Sequence, residues 1–85
     1  MKYPSAAKAF GVRLRQLREE RKLSQQELAD LADLTRVTIT RFENAKMNAT
    51  LEALVGIAKG LEITLKELVD FPIPRERTKH AAKGE

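Results

Sequence analysis

Helix-start signals recur along this chain at Ser24, Thr35, Thr50 and Thr64, and they limit it to short helices. A hydroxyl at the residue before a helix accepts a hydrogen bond from an amide of the first turn that would otherwise go unpaired. Two of the four are full capping boxes, Ser24-Gln25-Gln26-Glu27 and Thr64-Leu65-Lys66-Glu67, in which the glutamate reaches back to the cap amide. Each box is bracketed by a hydrophobic staple pair, Leu23 with Leu28 and Ile63 with Leu68. Four glycines and three prolines are too few for a many-turned β fold, so the pattern predicts an all-α domain.

Apolar spacing fills in the elements. Ser5, behind Pro4, is the expected cap of a first helix whose buried face carries Phe10, Leu14 and Leu17. The second helix runs from Gln25 to about Ala32, with Leu28, Ala29 and Ala32 inward. Asp33-Leu34-Thr35 interrupts the pattern. A third helix follows from Arg36 to about Asn44, with Ile39 and Phe42 inward and Val37, Thr38 and Arg41 outward. After a polar loop, Leu51, Leu54, Val55, Ala58 and Leu61 form the expected apolar stripe of a fourth helix. A brief fifth helix stops at Phe71-Pro72-Ile73-Pro74 because proline brings no amide. The sequence thus predicts a lead over 1–4, one domain over 5–71 and a flexible basic tail over 72–85.

Composition excludes more than it specifies. Eighty-five residues, 42% of them hydrophobic, make one small domain with a marginal core that dimerisation would supplement. The absence of cysteine rules out a disulfide framework and Cys-ligated metal. No apolar run approaches bilayer length and the N-terminus lacks a signal core, which predicts a cytoplasmic protein with no membrane partner. His80 is the only histidine and lies in the tail. The glycines are too scattered for a phosphate loop, and Glu19 and Glu20, being adjacent, diverge on a helix. These features predict no metal, no cofactor and no enzyme. The net charge of +4 is ordinary, but seven basic against two acidic side chains fall in residues 1–23, while 24–45 is slightly acidic apart from Arg36 and Arg41.

Two short helices joined by about three residues, with alanine where they cross, are a helix-turn-helix pattern. That frame leaves the outer face of the third helix protruding, with Arg36, Val37 and Thr38 at its start and Arg41 one turn later. The DNA major groove admits one α-helix, arginine can hold guanine O6 and N7 together, and Val and Thr suit a thymine methyl.

The segments LRQLREERKLSQQELA, ITRFEN and TLEALVGIAKGLEIT resemble the phage-repressor/Cro type of helix-turn-helix, the XRE family, over residues 11–71. The resemblance implies a five-helix, lambda-repressor-like DNA-binding domain and a sequence-specific, usually dimeric, operator-binding regulator. It implies base reading by Arg36, Val37, Thr38 and Arg41. It implies phosphate contacts by Gln25, Thr35, Asn44 and Lys46, and an ion pair between Arg18 and Glu43. Three positions depart from the family pattern: Asp33 and Ala45 replace glycines and Ala49 replaces a proline.

Two functions fit these residues. One is a stand-alone regulator that binds a short palindromic operator in double-stranded DNA as a homodimer, of which the controller of a restriction–modification operon is a subtype. The other is an antitoxin or adaptor that holds a partner protein such as a toxin while anchored to its own operator. The dimer surface is expected on the fifth helix, at Val69, Phe71 and Ile73.

Overall fold

A computed structural model describes residues 2–73; His80 and the rest of the expected tail from residue 74 lie outside the described residues. Five helices follow in order, α1 Pro4–Glu20, α2 Gln25–Ala32, α3 Arg36–Glu43, α4 Leu51–Leu61 and α5 Leu65–Leu68, with no strand among the described residues. The hydroxyls of Ser24, Thr35, Thr50 and Thr64 accept from the amides of Glu27, Thr38, Ala53 and Glu67 at 3.0–3.2 Å. Both capping boxes close, with Glu27 and Glu67 each accepting from the cap amide at 2.8 Å. The first helix is capped two residues earlier than the expected Ser5. Pro4 opens α1 and Tyr3 is the cap residue, with no side-chain hydrogen bond. Proline suits that first position because its φ is preset and the missing amide would be unpaired there anyway.

The helix ends share one solution. Lys22, Asp33, Ala45 and Glu62 adopt left-handed backbone, with φ of 56, 58, 57 and 59°. Each is followed by an amide that reaches back to close the last turn: Leu23 to Arg18, Leu34 to Ala29, Lys46 to Arg41 and Ile63 to Ala58. Three of those following residues, Leu23, Leu34 and Ile63, pack against the core. Burial of the next side chain thus helps hold the reversal that glycine would otherwise favour. Asp33 keeps its left-handed turn in this way without glycine, whereas Ala45 keeps one with only the Lys46 amide closing it, since the Lys46 side chain is exposed. That geometry costs a residue with a Cβ about 1 kcal/mol. Asp33→Gly and Ala45→Gly are each expected to raise the melting temperature by a few degrees in calorimetry. Asp33→Gly also removes a carboxylate from the negative end of α2.

Leu14, Leu28, Ile39, Ile57, Leu61 and Leu68 are fully buried at the centre. Phe10 of α1 meets Phe42 of α3 edge-on, with ring centroids 6.0 Å apart, and Phe71 closes the other side of Phe10 at 6.4 Å. The stripe of α4 differs from the expected one. Its inward line is half-buried Leu54 with buried Ile57, Ala58 and Leu61, whereas Leu51 and Val55 are exposed. Positions 54, 57, 58 and 61 follow the i, i+3, i+4, i+7 period, and 51 and 55 fall together on its flank.

Two glycines set close crossings. A Cβ on Gly56 would stand 2.8 Å from the carbonyl oxygen of Ala32, which lets α4 approach the end of α2. A Cβ on Gly11 would stand 2.7 Å from the carbonyl oxygens of both Phe42 and Glu43, so α1 lies directly on the last turn of α3. Ala29, fully buried, fills the α2 crossing as its small size requires.

Candidate nucleic-acid interface

The third helix is held from below and left bare above. Ile39 and Phe42 anchor it in the core, while Arg36, Val37 and Arg41 are exposed. No hydrogen bond or ion pair among the described residues engages the guanidinium groups of Arg36 and Arg41 or the ammonium of Lys46. Val37, the apolar residue next to Arg36, is 52% exposed. Thr38 is half-buried, and its hydroxyl lies 2.9 Å from that of Thr35. The Thr35 cap therefore fixes the Thr38 rotamer at the start of the helix.

The far end of α3 is fastened by Glu43, whose side chain is fully buried. Arg18 of α1 grips it bidentately, Nε donating to Oε2 at 2.6 Å and Nη2 to Oε1 at 3.0 Å. Arg18 Nη1 also donates to the carbonyl of Leu23 at 2.8 Å, so one guanidinium ties together α1, the turn before α2 and α3. Gln25 Nε2 donates to Glu43 Oε1 at 3.1 Å, and Arg15 Nε donates to the same oxygen at 3.3 Å. Burial alone would push the Glu43 carboxyl up. Hydrogen bonds from Arg18 and Gln25, the Arg18 charge and the Arg15 hydrogen bond outweigh it and hold the group below its ordinary range. The hydrogen bond to Glu43 raises the Arg18 guanidinium in turn, against the opposing effect of burial.

Gln25 is engaged at both ends of its carboxamide. Its oxygen accepts from the Thr40 hydroxyl at 3.0 Å while its nitrogen holds Glu43, so the side chain bolts the start of α2 to α3. What Gln25 offers outward is its backbone amide in the first turn of α2, where a free N–H and the helix dipole favour an anion. Asn44 is exposed at the end of α3 and its Oδ1 accepts from Arg15 Nη2 at 3.4 Å. Lys46 follows on the exposed loop.

Sequence reasoning assigned no role to Arg15 or Thr40. Arg15 lies one turn before Arg18 on the same face of α1, and that i, i+3 spacing is the signal that could have found it. Thr40 lies one turn after Arg36, whose carbonyl its hydroxyl also meets at 3.0 Å. Among the described residues no cluster of His, Cys, Asp and Glu is arranged to hold a metal. No described helix is long and apolar enough to cross a membrane.

A bare, arginine-bearing helix mounted on a second short helix is the frame of a DNA-binding module, and the matching family model is that of the helix-turn-helix, over residues 14–68. The chain belongs to this family; it is a DNA-binding transcription regulator and not an enzyme. Control protein C.MunI of a Mycoplasma species is 45% identical over 60 residues, covering 69% of this chain and 81% of that protein. Control protein C.BamHI of Bacillus amyloliquefaciens is 36% identical over 63 residues, covering 73% of this chain and 78% of that protein. Among solved structures, the restriction-modification controller protein C.AhdI from Aeromonas hydrophila superposes with a TM-score of 0.72 at 37% identity, covering 73% of this chain and 94% of that one.

Proposed function

We propose that this regulator binds a short two-fold-symmetric operator as a homodimer and controls a restriction–modification operon. Arg36, Val37, Thr38 and Arg41 read bases. Thr35, Asn44, Lys46 and the first-turn amide of Gln25 hold the flanking phosphates. The observation that carries this reading is the pair of guanidinium groups, unengaged among the described residues, on the outer face of a helix whose inner face is locked by Ile39, Phe42 and Glu43. Phosphate contacts set register, and base contacts set preference. The similarity to restriction–modification controllers favours this reading over an adaptor that holds a toxin.

The dimer face is shared between α4 and the segment that follows α5, which ends at Leu68, before the three residues expected on it. Val69 and Ile73 are exposed, at 40 and 57%, while Phe71 turns in against Phe10. Leu51 and Val55 add an apolar flank on α4, the helix on which α5 packs. An exposed apolar surface of this kind on a small domain fits a subunit contact.

Fluorescence anisotropy with short duplexes tests the assignment of roles. Arg41→Ala is expected to relax preference at one position of each half-site by about 1–3 kcal/mol. Lys46→Ala is expected to weaken all sequences alike and to flatten the salt dependence by about one unit of log–log slope. Unchanged preference in the first variant, or an unchanged slope in the second, contradicts the role given to that residue.

A further inference from the structure

Two arginines converge on one carboxylate at the junction of α1 and α3, and only one of them is needed there. Arg18, 12% exposed, takes both oxygens of Glu43. Arg15 reaches Oε1 through Nε alone, at 3.3 Å, and its side chain is 48% exposed. Its Nη2 meets Asn44 Oδ1 at 3.4 Å, and its Nη1 has no partner among the described residues. Glu19, one turn further along α1, makes no ion pair with it. One buried negative charge therefore faces two positive ones, and the surplus charge is the exposed one.

That surplus is also aimed. The long contacts from Nε to Glu43 at 3.3 Å and from Nη2 to Asn44 at 3.4 Å orient the guanidinium, and the side chain is about half exposed. A planar fork held in place suits the oxygens of a phosphate, because little side-chain freedom is left to lose on binding. The position completes a set. Arg15 adjoins Asn44 at the end of α3, and through Glu43 it adjoins Gln25 at the start of α2. Both are phosphate positions in the function proposed above.

We infer that Arg15 is a DNA-backbone contact, so that α1 supplies a phosphate clamp whose orientation is set by the same carboxylate that fastens the reading helix. This rests on the reading that the α2–α3 face meets DNA. One carboxylate thereby keeps a backbone contact and the base-reading side chains in fixed relative position. The contact carries no sequence information of its own.

The test is anisotropy titration of the full chain against a duplex selected for binding and a scrambled duplex, from 50 to 200 mM salt. Wild type is compared with Arg15→Gln, Arg15→Lys, Lys46→Ala and Arg41→Ala, and each variant is melted to check folding. Arg15→Gln keeps a donor for Glu43 but removes the charge. It is expected to weaken both duplexes by a similar factor and to reduce the log–log slope by about 0.9, which makes the affinity lost across that salt range roughly threefold smaller. Arg15→Lys is expected to keep the slope. An unchanged slope in Arg15→Gln beside a reduced one in Lys46→Ala overturns the inference and leaves Arg15 as a positioning partner of Glu43, with the interface reading intact. If Lys46→Ala leaves the slope unchanged and Arg41→Ala leaves preference unchanged, the interface reading itself fails, and the role of Arg15 fails with it.

Discussion

Glu43→Ala is expected to cost about 3 kcal/mol of folding stability, because removing one partner strands the other in a largely buried site. In a domain of this size that corresponds to a fall in Tm of more than about 10 °C. The variant leaves Arg18 with only the Leu23 carbonyl and leaves Gln25 Nε2 without its acceptor. The milder Glu43→Gln keeps the shape and removes the charge, and it exposes a pH dependence. The Glu43 carboxyl sits below its ordinary range in the folded protein. Its contribution is therefore present in full above the unfolded carboxyl pKa and is lost as pH falls through the lower, folded value. Wild type is expected to be more stable than Glu43→Gln at pH 7, with the gap closing below about pH 4. A gap that stays constant to pH 3 in urea titrations contradicts the charged pair as its source.

Gly11→Ala is the second large effect, and local propensity argues for the opposite sign. In an open helix position the change stabilises by about 0.5–1 kcal/mol. Here the new Cβ meets the carbonyl oxygens of Phe42 and Glu43 at 2.7 Å, and both are backbone atoms that cannot swing aside. Crowding of this kind costs about 1–3 kcal/mol, so a net fall in Tm is expected, and a larger one for Gly11→Val. The displacement also pulls α1, and Arg18 with it, away from Glu43. DNA affinity is therefore expected to fall at temperatures where the variant is still fully folded. A higher Tm in Gly11→Ala shows that α1 can lift by the few tenths of an ångström required.

Glu43 and Gly11 meet where α1 bears on the last turn of α3, and that place was the least legible part of the sequence. The caps at Ser24, Thr35, Thr50 and Thr64 could be read directly because each hydrogen bond spans only three residues. The helix stops were less legible: a hydrophobic residue follows the left-handed position at Lys22, Asp33 and Glu62, but exposed Lys46 follows Ala45, and α5 ends at Leu68 rather than at Phe71. Glu43 has no such local signature. Its partners Arg18 and Gln25 stand 25 and 18 residues away in the chain, and the Arg18 pair entered only through family resemblance. Gln25 entered as a phosphate position through the same resemblance, and residues 24–27 show a helix start but not the bonds its side chain makes to Glu43 and Thr40. The α4 stripe was misdrawn for another reason. Leu51 and Val55 are as apolar as Leu54 and Ile57, and only the position of the neighbouring helices decides which four face inward.

The third helix is thus held by residues drawn from three helices. Gln25 and Thr40 join α2 to α3, Arg18 and Glu43 join α1 to α3, and Gly11 sets how closely α1 can lie. Desolvation offsets much of the attraction in such a cluster, and its main consequence is a fixed geometry at the interface.

The most direct measurement is selection of bound duplexes from random-sequence DNA with the wild-type chain. Enrichment of a two-fold-symmetric sequence is expected, with half-sites about one helical turn apart, roughly 34 Å. The same selection with Arg41→Ala is expected to lose preference at one matched position in each half. No enrichment, or an enriched single site without symmetry, contradicts the dimeric operator reader derived from α3.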